Sequence, residues 1–305
     1  MSVSNITPFR QLSRAYSALL QISAKLDVMT ETRRDLLADA SETRRALNGI
    51  EDAVRTLTPP EPVVLEVPAP PRPVDVHERM GFNLLLDDSS LVDRTMIQHG
   101  TWEPEQLAYM AELTDRFRKF ERPIFLDIGS YWGLYSLLAL RSGIFAEQIA
   151  FEADRTNFAQ LQANLFLNRA TGKIRTINKA VSDRVTTLKF RDSTTHPEGN
   201  RAGASVLGWN EDYVGYPVEA VPIDSIVQDS GRFILMKLDV EGHESQVLRG
   251  MERTIANNKV VMQVEIFEQH HDTVFAEVDR LGLRVIHKIY PDCYVTNMSV
   301  EELGV

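Results

Sequence analysis

From about Glu78 the chain alternates short apolar runs with amphipathic stretches, and this alternation constrains the fold more than any other feature. The runs FNLLLDD, IFLDI, QIAFE, KIRTINKAV, FILMKLDV, VVMQVEIFE, LRVIHKIY and CYVTNMS read as strands. Between them EPEQLAYMAELTDRFRKF, WGLYSLLALRSG, DRTNFAQLQANLFLNRA, HESQVLRGMERTIANN and HDTVFAEVDRLG read as helices. Strand–helix alternation predicts βαβ units and a parallel sheet. The last two strands read as a hairpin-like antiparallel edge. RDSTTHPEGNRAGASVLGWNEDYVGYP is irregular, and loops of that length often cover active sites. Asn200, Arg201, Ser205 and Trp209 in it are candidate acceptor contacts.

The first 58 residues follow a different period. Leu19, Ile22, Leu26, Met29, Leu36, Ala40, Leu47, Ile50, Val54 and Leu57 fall in steps of three and four, with Arg33 and Thr43 as the polar members. That is the a/d seam of a coiled coil, and Asp39 and Arg44 fall at g and the following e. The seam predicts a homo-oligomer, a parallel dimer with a trimer left open. One long helix packed on its own domain is the alternative. Residues 59–77 carry seven of the chain's 14 prolines, which favour an extended spacer over a helix or sheet. The expected organisation is therefore 1–58 coiled coil, 59–77 linker and 78–305 α/β domain.

Composition excludes several functions. The net charge is −10, and residues 59–305 hold 25 basic against 36 acidic side chains. A nucleic-acid partner is not expected of such a surface. A single cysteine, Cys293, rules out a disulfide framework and a multi-cysteine zinc site. No apolar run is long enough for a bilayer span, and the first residues show no signal-peptide pattern. A cytoplasmic protein is the expectation.

Three motifs carry chemistry. In IFLDIGSYWGLYS a strand ends at Asp127, followed by Gly129 and Gly133. Parallel sheets bind ligands at the carboxyl ends of their strands. The dinucleotide pattern G-x-G-x-x-G is absent, and Asp127 would repel a pyrophosphate but pair with an ammonium. The motif therefore suits a cofactor with a cationic amino-acid moiety, such as S-adenosylmethionine; a strand-end Asp capping a turn is the plainer alternative. Glu152 closes the next strand, 23 residues after Gly129, where a carboxylate accepts from ribose hydroxyls. In ILMKLDVEGHESQVLRGM, Asp239 and Glu241 follow the fourth strand counted from IFLDI. They are the catalytic candidates, with helix capping and dipole matching the plainer reading. His243 is expected to face outward, with a general-base role as the alternative. Glu265 is a charge inside an apolar strand and is costly unless paired or at the tip. No His/Cys cluster argues for a metal and none is expected, with a divalent ion chelated by these carboxylates as the alternative.

These motifs, with GTWEPEQ, NKAVSD and VPIDSI, resemble the FkbM-type S-adenosylmethionine-dependent methyltransferases from roughly Glu78 to the C-terminus. K-x-D-V-E-G-x-E is the most characteristic piece. The resemblance implies a class I methyltransferase Rossmann-like sheet with its seventh strand antiparallel. It implies O-methylation of a sugar, glycan or natural-product hydroxyl. It would set Asp127, Gly129 and Gly133 at the methionine portion, Glu152 at the ribose, Ser182 and Asp183 near adenine, and Asp239 and Glu241 by the transferred methyl. Ser130 and Tyr131 depart from the usual D-x-G-A-N-x-G. A non-catalytic assembly protein that keeps a methyltransferase-like domain is the alternative function.

Overall fold

The computed structural model describes residues 74–193, 200–203, 205–207 and 215–304, together with Leu19, Gln21 and Lys25. The expected coiled-coil seam beyond Leu19, and the linker up to residue 73, lie outside the described residues, as does Trp209.

Strands β1 (Val74–Arg79) and β2 (Phe82–Asp87) form an antiparallel pair. Val74 to His77, expected as linker, are thus the first half of a strand. The alternation in VDVHER explains it: no proline follows Pro73 until Pro104. Helices α1 (Leu91–His99) and α2 (Pro104–Phe117) come next. Then follow β3 (Ile124–Ile128), α3 (Leu134–Ser142), β4 (Glu147–Phe151), α4 (Arg155–Leu167), β5 (Arg175–Ile177) and β6 (Ala180–Val181). Strands β7 (Thr186–Arg191), β8 (Val206–Leu207) and β9 (Gly215–Val221) precede β10 (Phe233–Leu238). The rest is α5 (Glu244–Arg249), α6 (Glu252–Asn257), β11 (Lys259–Glu265), α7 (His271–Arg280), β12 (Arg284–Ile289), β13 (Asp292–Thr296) and α8 (Val300–Leu303).

Seven strands make the main sheet in the order β12-β13-β11-β10-β3-β4-β5. Strands β5, β4, β3, β10 and β11 run parallel, and β13 is antiparallel to both neighbours. The antiparallel strand was expected at the edge. It lies one in from it, because β13 inserts between β11 and β12. Every residue of β13 is buried, which an edge position would not provide.

Strand β3 is buried on both faces, as the central strand of a parallel sheet must be. Ile124, Leu126 and Ile128 pack with Val247 and Leu248 of α5 and Val274 and Val278 of α7. Phe125 turns to the opposite core, built on Leu107, Met110 and Leu113 of α2 and Leu134 and Leu137 of α3. Strand β2 caps that second core with Phe82, Leu84 and Leu86, although it belongs to no larger sheet. Its free edge is satisfied by amides of α4. Asn164 Oδ1 accepts from Leu85 N at 2.7 Å, Gln160 Nε2 donates to Leu85 O at 2.8 Å, and Asn168 pairs with both the N–H and the C=O of Asn83. Side-chain amides thus replace a neighbouring strand.

Two segments depart from the sequence reading. KIRTINKAV, read as one strand, breaks at Asn178, and β6 leaves the main sheet for a second one of order β6-β9-β7-β8. This second sheet was not foreseen, since its strands are short and interrupted by polar sequence. The helix read in HESQVLRGMERTIANN is two, α5 and α6, split at Gly250. A Cβ there would lie 2.0 Å from the carbonyl oxygen of Ser182, so the break lets the helix approach the end of β6.

Candidate active site

The carboxyl ends of β3, β4, β10 and β11 open into a cavity of about 280 Å³. Asp127, Gly129, Glu152, Asp239 and Glu241 all line it, as do Lys237, His243 and Glu265. This is the side of the sheet on which open α/β folds bind ligands.

At the β3 tip the chain turns sharply. Gly129 has φ +82°, and a Cβ there would fall 1.7 Å from the carbonyl oxygen of Asp239, so only glycine lets the tips of β3 and β10 meet. The N–H groups of Gly129 and Ser130 both donate to Phe151 O, at 3.0 and 2.9 Å. Gly133, with φ +94°, caps the start of α3; it packs against Leu161 and does not line the cavity. Asp127 is 1% exposed and accepts from Ser136 Oγ at 2.6 Å. Burial raises its pKa, against the Ser136 hydrogen bond and the charge of Lys237.

Glu152 ends β4 with both oxygens engaged. Tyr131 N donates to Oε2 at 2.8 Å and Asp154 N to Oε1 at 2.8 Å. Burial pushes its pKa up to about 8, against these two backbone donors, which favour the charged form. Tyr131, the departure from the usual motif, has φ +49°. Its hydroxyl donates to Asp93 Oδ1 at 2.6 Å and meets Ser90 Oγ at 2.7 Å. Asp93 is fully buried and also accepts from Arg201 at 3.1 Å and Gln160 at 2.7 Å. Tyr131 therefore joins the β3 tip to α1 and to the segment around Arg201. Arg201 is structural in this arrangement rather than an acceptor contact, whereas Asn200 lines the cavity. The Ser205 carbonyl is engaged by Arg191 N at 2.9 Å.

The β10 tip is crowded with charge. Lys237 and Asp239, two residues apart, lie on one face of the strand, and Lys237 Nζ donates to Asp239 Oδ2 at 2.7 Å. Lys237 is 6% exposed, stands 3.8 Å from Glu103 Oε2 and lies 4.4 Å from the centre of the Tyr135 ring. Tyr135 donates to Glu103 Oε2 at 2.8 Å. Behind them Gln263 bridges Tyr135 and Asp292. Burial opposes the charges of Lys237 and Asp239, but their attraction prevails: the lysine is held well above its usual range and the aspartate below its own. Glu265 on β11 is driven strongly upward by burial, then by the Asp239 charge and a hydrogen bond with it. Sequence reasoning passed over Lys237, yet a lysine inside FILMKLDV was a visible signal.

Helix α5 starts without a side-chain cap from Asp239. Glu244 does the local work instead, accepting from Gly242 N at 3.0 Å and Val240 N at 3.3 Å. His243 does not face outward. It lines the cavity with Nε2 2.9 Å from Ser182 Oγ, and burial drops its pKa to about 4. Ser182 and Asp183 are not brought to the cavity, whose wall there is Lys179, Ala180 and Val181. The turn of β6 into the second sheet carries the next two residues past it. Oxygens of Asp239, Glu241 and Glu265 lie within 4.8 Å of one another. Burial and the Asp239 charge favour the neutral form of Glu265, and Lys237 is the cation that pairs with Asp239. No described helix is long and apolar enough to cross a membrane.

The sequence pattern of the methyltransferase FkbM domain matches residues 127–285, more than half of the chain. No curated protein matches the chain. Among solved structures, a precorrin-6y C5,15-methyltransferase from Geobacter metallireducens GS-15 is similar at 11% identity and TM-score 0.38, over 63% of this chain and 88% of its own. A ribosomal protein L11 methylase from Lactobacillus delbrueckii subsp. bulgaricus gives 8% identity and TM-score 0.39, over 64% and 79%. The N-terminal domain of human METTL16 in complex with SAH gives 11% identity and TM-score 0.38, over 64% and 70%.

Proposed function

The chain belongs to the FkbM methyltransferase family, and from that premise we propose that it transfers a methyl group from S-adenosylmethionine to a hydroxyl of a sugar, glycan or natural product. One observation carries the reading: Asp127, Gly129, Glu152, Asp239 and Glu241, from three separate strand tips, line a single cavity. The cavity residues suit such a cofactor. Trp132 Nε1, Asn157 Oδ1 and Asn200 Oδ1 are buried polar atoms without a partner among the described residues, and all three residues line the cavity. Asp127 would hold the amino-acid end, and Glu152 a ribose hydroxyl. Ala180, Val181 and Phe190 offer the apolar surface that a purine needs.

The cofactor would supply an electrophilic methyl, so the protein's task is alignment and proton removal. A carboxylate at the β10 tip would receive the acceptor's proton, which matters because a sugar hydroxyl is a weak acid. His243, with its pKa dropped by burial to about 4, would be too weak a base to compete for it. We also propose self-association through the Leu19–Leu57 seam, for which light scattering on the full chain that finds a monomer at micromolar concentration would be the contrary result.

Calorimetry with S-adenosylmethionine and NAD, then tritiated methyl transfer to nucleotide sugars, glycans and lipid-linked acceptors, tests the activity. Binding of S-adenosylmethionine alone, with label appearing in a base-stable ether, is the expected result. Binding of NAD, or no cofactor binding, would remove the reading.

A further inference from the structure

We propose that Glu241, not Asp239, takes the acceptor's proton, and that Asp239 is a positioning residue held in place by Lys237 and Glu265. The inference rests on the methyltransferase reading above and divides the labour within it. As the acceptor oxygen gains the methyl carbon, its O–H electrons stay on that oxygen. The C–S bonding pair remains on sulfur, leaving a neutral thioether, and the proton passes to the Glu241 carboxylate.

Asp239 is already committed. Lys237 Nζ donates to its Oδ2 at 2.7 Å, and Glu265 shares a hydrogen bond with it. The lysine is itself fixed, between Glu103 and the Tyr135 ring. A carboxylate with an ammonium donor, and with a neighbour whose neutral form is favoured, is a weak base, because both stabilise its charged form. Taking up a proton would break one of these contacts inside a closed network.

Glu241 stands differently. It lines the cavity, and among the described residues its carboxylate has no hydrogen-bond or ion-pair partner. Its backbone has φ +53°, a left-handed conformation that is uncommon outside glycine and strained. The following Gly242 has φ +99°, and a Cβ there would lie 2.7 Å from His270 Nε2. Glu244 locks the loop from the other side through Val240 N and Gly242 N. The loop is thus strained and pinned around one unpaired carboxylate. The charged groups around it are Lys237 of β10 and Asp239 just after it, Glu265 of β11, Glu244 of α5 and Glu103 before α2. Burial, then the charges of Asp239 and Glu244, push its pKa up to about 8, which suits a base working near neutral pH.

Infrared difference spectra of the full chain between pH 5.5 and 10 test the assignment without an acceptor. Wild type should show a carboxylic-acid C=O band that disappears with a midpoint near neutral to mildly alkaline pH. Glu241→Gln should lose part of that titrating intensity, the rest belonging to Glu152 and Glu244, and Asp239→Asn should keep the Glu241 part at a lower midpoint. Glu265→Gln should lose a separate band that persists across the range. Titrating intensity undiminished in Glu241→Gln would overturn the proposal. So would loss of the Glu241 part in Asp239→Asn with a circular dichroism spectrum like wild type. Calorimetry with S-adenosylmethionine on the same samples separates the two failures: absent binding removes the methyltransferase reading, while intact binding with the wrong band removes only this one.

Discussion

The two halves of the cavity handle carboxylates in opposite ways. At the β3 and β4 tips each buried carboxylate is met by neutral donors: Ser136 for Asp127, and the Tyr131 and Asp154 N–H groups for Glu152. At the β10 and β11 tips three carboxylates gather around one ammonium, and one of them, Glu241, is left without a partner. Neutral donors fix geometry whatever the state of the ligand. An excess of buried negative charge costs stability and is retained where a proton must move. On the proposed reading the first half binds and the second reacts.

The strongest way to break this contrast is at Glu241. Removing a general base costs about 10²–10⁴ in rate. Glu241→Gln should therefore lower kcat by about 100-fold or more with little change in cofactor affinity. Asp239→Asn should lower turnover and move the pH midpoint downward, because the Asp239 charge helps to hold the Glu241 pKa up, which a pH–rate profile would reveal. Equal, pH-independent losses in both would merge the two roles.

The cofactor half should respond in binding instead. Hydrogen bonds to charged groups contribute about 1.5–3 kcal/mol, so Glu152→Ala should weaken S-adenosylmethionine binding by roughly 10- to 100-fold. Calorimetry that finds unchanged affinity would take Glu152 out of the site.

A smaller effect concerns stability. Burial, with the charges of Asp239 and Glu244, pushes the Glu241 pKa from the ordinary 4.5 up to about 8 in the fold. Its protonated form favours the fold, so the stability it contributes is present below about pH 4.5 and is lost as pH rises through about 8. Wild-type melting temperature should thus fall more steeply between pH 6 and 9 than that of Glu241→Gln. Parallel curves would show that Glu241 is ionised throughout that range.

The smallest change is expected at His243. Its ring is neutral at working pH and is tied to Ser182 outside the cavity wall. His243→Gln should leave kcat within about threefold of wild type. A loss near that of Glu241→Gln would bring the histidine back as the base.

Much of this arrangement was legible in the residue pattern. Alternation of apolar runs and amphipathic stretches determined the parallel sheet, because period and length are local properties. IFLDIGSYWG identified the β3 tip, since its glycines meet a steric need written into the backbone. K-x-D-V-E-G-x-E identified the second tip, and the order of the strands brought both tips together. The inward place of the antiparallel strand, the break at Gly250 and the second sheet were not legible, because each depends on which distant segment arrives alongside. The same holds for the chemistry. Asp239 and Glu241 are equivalent carboxylates in sequence, two residues apart. Only tertiary structure separates them, by pairing the first with Lys237, itself fixed by Glu103 and Tyr135, and leaving the second without a hydrogen-bond or ion-pair partner among the described residues. Charge in a buried site is decided by neighbours within a few ångströms, and those neighbours come from α2, α3, β10 and β11, more than a hundred residues apart along the chain.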